Sequence, residues 1–249
     1  MISFDIKRVQ ERLLKMAKEI ASILEDHDIP YQIAFGTLLG AVRHKGFIPW
    51  DDDFDFFLFD DSYEKAMEVL QKNISQNMFL ENEKTEAHFF HGWARIKDTQ
   101  SDCQYDLYPQ DKSYLHHGLC VDLFRIKKMH GKDFADFRFN EAMNYIKRRK
   151  KLGLISDEEF ITRQKKFEEC FEKDKTNSTK EILAYPFDIG KQYPEDVFPL
   201  KKYKFEDTTF FGPQNADNIL AMRYGDYKKL PPESERHPHY SQVIFKENE

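Results

Sequence analysis

Cysteine is scarce in this chain. Three occur among 249 residues, Cys103, Cys120 and Cys170, an odd number at no recognised metal-ligand spacing. That excludes a disulfide-stapled scaffold and points to a reduced compartment. Long apolar runs are missing as well. No segment approaches the roughly 20 apolar residues of a membrane-spanning helix. Residues 1–28 are charged throughout and lack the apolar stretch of a secretory signal. The expectation is a cytoplasmic protein whose only membrane contact is peripheral, at the inner face. An excess of positive charge is also absent. The 38 Lys and Arg against 44 Asp and Glu leave a formal charge of −6, which argues against a nucleic-acid partner. No repeats and no low-complexity linkers interrupt the chain. What it has in abundance is aromatic: 23 Phe, and 15% Phe, Trp and Tyr together. Such a composition builds a globular core, and the length fits one domain with an insertion.

The apolar pattern places the elements. Ile6, Val9, Leu13, Met16, Ala17, Ile20 and Ile23 recur at helical spacing, so residues 4–27 are predicted as an amphipathic helix. Tyr31 to Phe35 is a short strand. Asp60 or Asp61 is placed to cap a helix reaching about Asn73. Strands are expected at 78–82, 90–98, 103–108 and 118–126, and polar helix over 133–174. Strand-rich and helix-rich stretches do not alternate regularly. The fold class is therefore α+β, with a mixed β-sheet flanked by helices.

Residues Gly36 to Asp55, GTLLGAVRHKGFIPWDDDFD, carry most of the chemistry. Asp51, Asp52 and Asp53 are contiguous and Asp55 follows, within an apolar frame of Ile48, Trp50, Phe54, Phe56 and Leu58. Adjacent carboxylates repel unless solvent or a cation offsets their charge. Strand alternation puts Asp53 and Asp55 on one face, with Asp51 sharing their parity. That arrangement suits Mg²⁺ or Mn²⁺, with Asp51, Asp53 and Asp55 as ligands and a phosphate supplying the rest. The bland alternative is an acidic turn before an edge strand. Upstream, Gly36 and Thr37 turn the chain into a helix whose N-terminus offers N–H groups to an anion. Arg43, His44 and Lys45 follow as candidate phosphate contacts. A Gly-Thr turn after a strand, followed by a D-x-D strand, is the core pattern of the nucleotidyltransferase superfamily, which includes DNA polymerase beta.

The full stretch closely resembles the signature of the LicD family, phosphotransferases that decorate bacterial surface glycans with phosphocholine and are related to fukutin and fukutin-related protein. HDIPYQIAFGTLLG, WARIKDT (Trp93 to Thr99), GLCVDLFRI (Gly118 to Ile126) and the segment Tyr203 to Pro232, with its Tyr-Gly-Asp, extend the likeness over most of the chain. Residues 132–193 match only loosely. Phe54 and Phe56 stand where the family usually has smaller aliphatic residues. The resemblance implies one LicD-type domain over 1–249. Its nucleotidyltransferase-like core would span about 1–130 and 195–235, with a helical insertion over about 132–193. It further implies a CDP-activated alcohol as donor, most simply CDP-choline. The acceptor would be a lipid-linked precursor of lipopolysaccharide, teichoic acid or capsule, and the leaving group CMP. Asp53, Asp55 and Asp122 would be catalytic, Asp122 as third metal ligand or as base. The open alternatives are a nucleotidyltransferase that releases pyrophosphate from an NTP, and a binding module without activity.

Other residues carry two readings each. Asp122 lies among Val121, Leu123 and Ile126 and needs a partner or a function; a structural pair with Arg125 or Arg95 is the alternative. Arg95 and Lys97 share a strand face and either meet a diphosphate or face solvent on an edge strand. Tyr224 and Asp226 flank Gly225 at a helix end, where Asp226 binds a ribose hydroxyl or caps the turn. His237 is a candidate substrate contact near the tail, with His239 two residues on. His116, His117, Cys120 and Cys103 match no standard zinc pattern. The basic run 147–151 is a solvated helix face or rests on anionic lipid. Some of the aromatics are available to cage a quaternary ammonium group.

Overall fold

A computed structural model describes residues 5–105, 113–188 and 190–246. Helix α1 (Ile6–Asp26) begins where the Asp5 carboxylate accepts from the Lys7 N–H at 2.9 Å, and buries Val9, Leu13, Met16, Ala17, Ile20 and Leu24. Strand β1 (Tyr31–Ile33) is shorter than expected. Phe35 already has φ of +45° and opens helix α2 (Phe35–Arg43), so Gly36 lies inside the first helical turn rather than in a turn before it. Strand β2 (Asp55–Phe59) is wholly buried and leads into α3 (Asp60–Asn73). No side chain caps α3. Asp60 and Asp61 sit in its first turn, where they complement the helix dipole instead.

Strands β3 (Met78–Glu81), β4 (Ala94–Asp98), β5 (Ser101–Tyr105) and β6 (Cys120–His130) follow. The expected strand at 90–98 starts only at Ala94, and positions 106–108 of the expected 103–108 strand lie outside the described residues. Helices α4 (Phe134–Lys151) and α5 (Asp157–Asp174) form an antiparallel pair. The chain then returns to the sheet as β7 (Glu181–Ala184) and β8 (Lys191–Gln192), so the second part of the 132–193 stretch is not helical. A short α6 (Pro194–Val197), the hairpin β9 (Lys201–Phe205) and β10 (Thr208–Gly212), α7 (Ala216–Tyr224) and β11 (Tyr240–Phe245) complete the order.

The main sheet runs β1-β2-β6-β4-β3, with β7 and β8 continuing from the far half of β6. β2 and β6 are parallel and the other pairs antiparallel, which makes the sheet mixed. Because side chains alternate across a strand, β2 divides its residues between two faces. Phe56 joins Phe54 on the side away from Asp55. There Phe54 packs against Phe56, Phe210 and Phe205 at ring separations of 5.0, 5.1 and 5.2 Å. The two unusual phenylalanines thus fill the core behind the carboxylates.

The basic run in α4 is not one solvated face. Arg149 is buried over the Phe90 ring at 5.1 Å, and Lys150 pairs with Asp157 at 2.9 Å. Among the described residues no helix is long and apolar enough to cross a membrane.

Candidate active site

Three neighbouring strands place three charged side chains in one row. In the parallel register of β2 and β6, Asp55 lies opposite Asp122. In the antiparallel register of β6 and β4, Asp122 lies opposite Arg95. Lys97 projects on the same face one pair further, opposite Cys120. β4 sits between β6 and β3 and all five of its residues are buried, so it is not a solvent-facing edge strand. Arg95 is tied to Glu81 on β3, with Nη2 2.6 Å from Oε1. Asp122 therefore has Arg95 beside it, while Arg125 projects to the other face and pairs with Asp60 and Glu64.

The Asp51-Asp52-Asp53 turn divides between two tasks. Asp51 and Asp53 face the N-terminus of α2. A Cβ built on Gly36 would lie 3.0 Å from Asp51 Oδ2 and 3.9 Å from Asp53 Oδ1. A side chain there would press on the Asp51 carboxylate, which would have to give by a few tenths of an ångström. Thr37 accepts from the Asp55 N–H through Oγ1 at 2.9 Å. Its hydroxyl therefore fixes the strand that carries Asp55, a use different from the expected phosphate contact. Asp52 points the other way and is fully buried. It accepts from the backbone N–H groups of His239 and Tyr240, each at 2.9 Å, and His239 Nδ1 lies 2.9 Å from Asp52 Oδ1. The tail is thereby strapped to the turn. Asp51, Asp53 and His239 each offer a ligand atom, and these atoms lie within 4.8 Å of one another. Among the described residues no comparable group forms from His116, His117, Cys103 and Cys120.

Electrostatics mark this spot. Burial, then the charge of Asp53, raises the pKa of Asp51 and of Asp55 well above the usual carboxylate value. Burial also raises Asp53, against the pull of His239. Asp122 is raised to about 6, chiefly by burial, with Arg95 holding it down. The hydrogen bond to Asp52 lifts His239 to about 9. Asp53 Oδ1 is buried without a hydrogen-bond partner, an acceptor aimed into a cluster of acceptors.

Not every expected phosphate contact reaches the cluster. Arg43 and His44 lie at the opposite end of α2, about 10 Å of helix rise from Gly36. Arg43 Nη1 donates to the Tyr227 carbonyl at 2.8 Å, and Nε lies 2.9 Å from His44 Nε2. Asp226 and His237 are exposed, in a turn and in the tail. Tyr224 does approach the site: burial raises its hydroxyl pKa, and the charges of Asp55 and Asp53 add to the rise. A basic residue not anticipated from the sequence, Arg223, stands beside it. Its guanidinium lies 4.3 Å above the Phe35 ring and pairs with Asp188, and its charge acts on Asp55. Arg223, Tyr224, Lys191 and Tyr193 line a cleft of about 660 Å³. The position of Arg223, just before Tyr-Gly-Asp at the end of a short helix, is the signal that marks it. His239 carries a fainter one: it stands two residues from the expected His237, and only the strap to Asp52 brings it in.

Aromatic rings cover the sheet next to the carboxylates. Phe57 and Phe124 follow Asp55 and Asp122 on the same face. Phe35 packs on both, at 4.8 and 5.2 Å, and Trp93 lies 5.4 Å from Phe124. Tyr185 and Phe187 close the group. Phe35, Trp93 and Phe187 are only half-buried, so this wall keeps some open surface.

The sequence comparisons agree with this geometry. The model of the LicD/FKTN/FKRP nucleotidyltransferase domain matches residues 28–150, which contain every carboxylate of the cluster. The chain is 28% identical over 248 residues to the lipopolysaccharide cholinephosphotransferase LicD of Haemophilus influenzae, covering 90% of this chain and 91% of that one. It is 29% identical over 217 residues to an uncharacterized protein of Rickettsia prowazekii, covering 87% of this chain and 55% of the relative. An uncharacterized protein of Rickettsia typhi is 30% identical over 125 residues, 47% of this chain and 38% of its own. The Asp turn, the Asp55–Asp122 pair and the matched strands come together in one place, and over residues 28–150 the chain matches the LicD family model.

Proposed function

We propose that this protein is a phosphotransferase that moves phosphocholine from CDP-choline to a hydroxyl of a cell-surface glycan precursor, with release of CMP. The observation that carries the reading is the pair Asp55 and Asp122, opposed on parallel strands beside Asp51 and Asp53. The name of the Haemophilus relative, a lipopolysaccharide cholinephosphotransferase, supports the transferred group and the acceptor class.

Asp51, Asp53 and Asp55 would hold Mg²⁺ or Mn²⁺. The fit rests on the grouped oxygens of Asp51 and Asp53, on the unpartnered Asp53 Oδ1, and on the glycine that leaves room beside Asp51; Asp55 lies outside that tight group and joins it through its charge coupling to Asp53 and Asp51. Such an ion, when bound, would offset the charge of the donor diphosphate. The N-terminus of α2 and Arg223 face the same place and suit phosphate oxygens. Asp122, with a pKa of about 6, is matched to accept the proton of the incoming hydroxyl near neutral pH. Arg95 keeps it ionised. The acceptor oxygen forms a bond to the phosphorus that bears choline. The phosphoanhydride bond breaks, and its electron pair leaves with CMP. The half-buried faces of Phe35, Trp93 and Phe187, next to Phe124, suit a trimethylammonium group, which aromatic faces attract. A lipid-linked acceptor fits a protein that works from the cytoplasmic side of a membrane.

A donor screen tests this reading: CDP-choline, CDP-ethanolamine, CDP-ribitol, CDP-glycerol and the NTPs are incubated with the purified protein and Mg²⁺ or Mn²⁺. CMP release that is fastest from CDP-choline and rises with added lipopolysaccharide precursor is expected. Pyrophosphate release from CTP would instead assign the nucleotidyl transfer named in the family description.

A further inference from the structure

We propose that Asp188 is the anionic partner of the choline group, and that donor binding exchanges the Arg223–Asp188 ion pair. The trimethylammonium takes the place of the guanidinium over Phe35, and the guanidinium turns to the diphosphate. The inference rests on the phosphocholine reading above and names the residue that selects a cationic alcohol over a neutral one. Arg223 and Asp188 pair at the edge of the carboxylate cluster. The guanidinium lies 4.3 Å from the Phe35 ring and 5.4 Å from the Tyr224 ring, and its charge acts on Asp55. These aromatic faces therefore hold a cation in the empty site, beside the place that suits the phosphates.

A turn after β7 sets Asp188 against the aromatic wall. The Asp188 N–H donates to the Tyr185 carbonyl at 3.3 Å. Tyr185 stands 6.0 Å from Phe35 and 4.9 Å from Phe124, ring to ring. Phe35, Phe57, Tyr185 and Tyr224 line a crevice of about 30 Å³, room for little more than a water molecule. Asp188 and Arg223 line both that crevice and the wider cleft, so the pair stands where the two meet. A choline group enters only when the guanidinium leaves. Gly190 keeps the pair uncrowded: a Cβ there would lie 2.8 Å from Asp188 Oδ2 and 3.6 Å from Arg223 Nη1.

The charges match. Phosphocholine joins an anionic phosphate to a quaternary ammonium through a short ethylene bridge, and the ion pair offers a cation and an anion side by side. The two side chains are 31% and 20% exposed, and such part-exposed pairs contribute little to stability. Giving up the pair is therefore cheap, and the exchange leaves each charge with a new partner. A quaternary ammonium has no N–H to donate, so it is recognised by a carboxylate's charge and by aromatic faces. A glycerol or ribitol group gains nothing from either.

The test is calorimetric binding of CDP-choline and CDP-glycerol to the full chain and to Asp188→Asn, with Mg²⁺ present. The two donors share a nucleotide and a diphosphate and differ in the charge of the alcohol. Wild type should bind CDP-choline at least about tenfold more tightly than CDP-glycerol. In Asp188→Asn that preference should fall to about threefold or less, while CDP-glycerol affinity changes by less than about threefold. Asp188→Glu keeps the charge and should keep most of the preference. Equal melting temperatures check the fold, and Asp188→Ser serves if the asparagine variant does not fold. A preference that survives Asp188→Asn, or an equal loss of affinity for both donors, overturns the inference and leaves the phosphocholine reading standing. If wild type binds CDP-glycerol as tightly as CDP-choline, both this inference and the choline assignment fall.

Discussion

The two ends of helix α2 come from one motif and do different work. At the N-terminal end, Gly36 leaves room for the Asp51 carboxylate, and Thr37 holds the backbone of Asp55. At the C-terminal end, Arg43 is committed to the carbonyls of Tyr227 and Lys229, and Arg43 Nε lies beside His44. Sequence adjacency grouped both ends into one phosphate-binding segment. They sit at opposite ends of a nine-residue helix, and only its first turn meets the carboxylates. The basic charge nearest the site comes instead from Arg223, at the end of α7. A positive residue after a glycine turn is thus a weak guide when a rigid helix carries it away from the turn.

The largest expected effect lies at the N-terminal end. Asp53→Asn should lower turnover by about 10²–10³-fold or more, the scale of a lost electrostatic contact at a reacting phosphate. The fold should persist, since the variant relieves repulsion among buried carboxylates. CMP release and a thermal melt measure the two effects. A variant with full activity would remove the Asp turn from the chemistry.

Asp122→Asn comes next. It keeps the shape and removes the base, so kcat should fall about 10²-fold while donor affinity changes little. A loss of stability with an unchanged rate would make Asp122 a structural partner of Arg95.

Gly36→Ala is milder. The new Cβ would stand 3.0 Å from Asp51 Oδ2, and the carboxylate must shift to admit it. Metal affinity, measured by calorimetry, should drop about tenfold, in the range seen when ligand positioning is disturbed. Unchanged affinity would mean that Asp51 is not a ligand.

The smallest effect on turnover belongs to the other end of the helix. Arg43→Ala should cost about 1–2 kcal/mol of stability through its lost hydrogen bonds and leave kcat within about twofold. Urea unfolding and steady-state kinetics separate the two. A large loss of kcat at unchanged stability would return Arg43 to the site and erase the contrast between the ends.

Much of the chemistry was legible because it is local. Asp53 precedes β2 rather than standing on it, so strand alternation does not set its direction, although its charge does act on Asp55, and Phe54 and Phe56 pack together behind the carboxylates. The apolar strand around Asp122 was recognisable, and its register opposite Asp55 is what the pairing adds. The α1 stripe and the helix ending at Gly225, whose φ of +63° only glycine adopts readily, were equally local. What escaped depends on contacts distant in sequence. His239 reaches Asp53 only because Asp52, 187 residues away, binds its backbone. Arg223 reaches Asp55 only because α7 lies across Phe35. The edge-strand alternative for Arg95 and Lys97 fails for the same reason, since β3 covers β4 only in three dimensions. The return of β7 to pair with β6 is another long-range event.

The central claim is that this carboxylate cluster transfers phosphocholine. Phosphorus NMR of the purified protein with CDP-choline, a lipid-linked glycan acceptor and Mn²⁺ or Mg²⁺ tests it most directly, with Asp53→Asn run in parallel. The account expects a new phosphodiester resonance on the glycan growing in step with CMP, and neither signal in the variant. Pyrophosphate formed from CTP with a nucleotide left on the product, or equal turnover by Asp53→Asn, would contradict it.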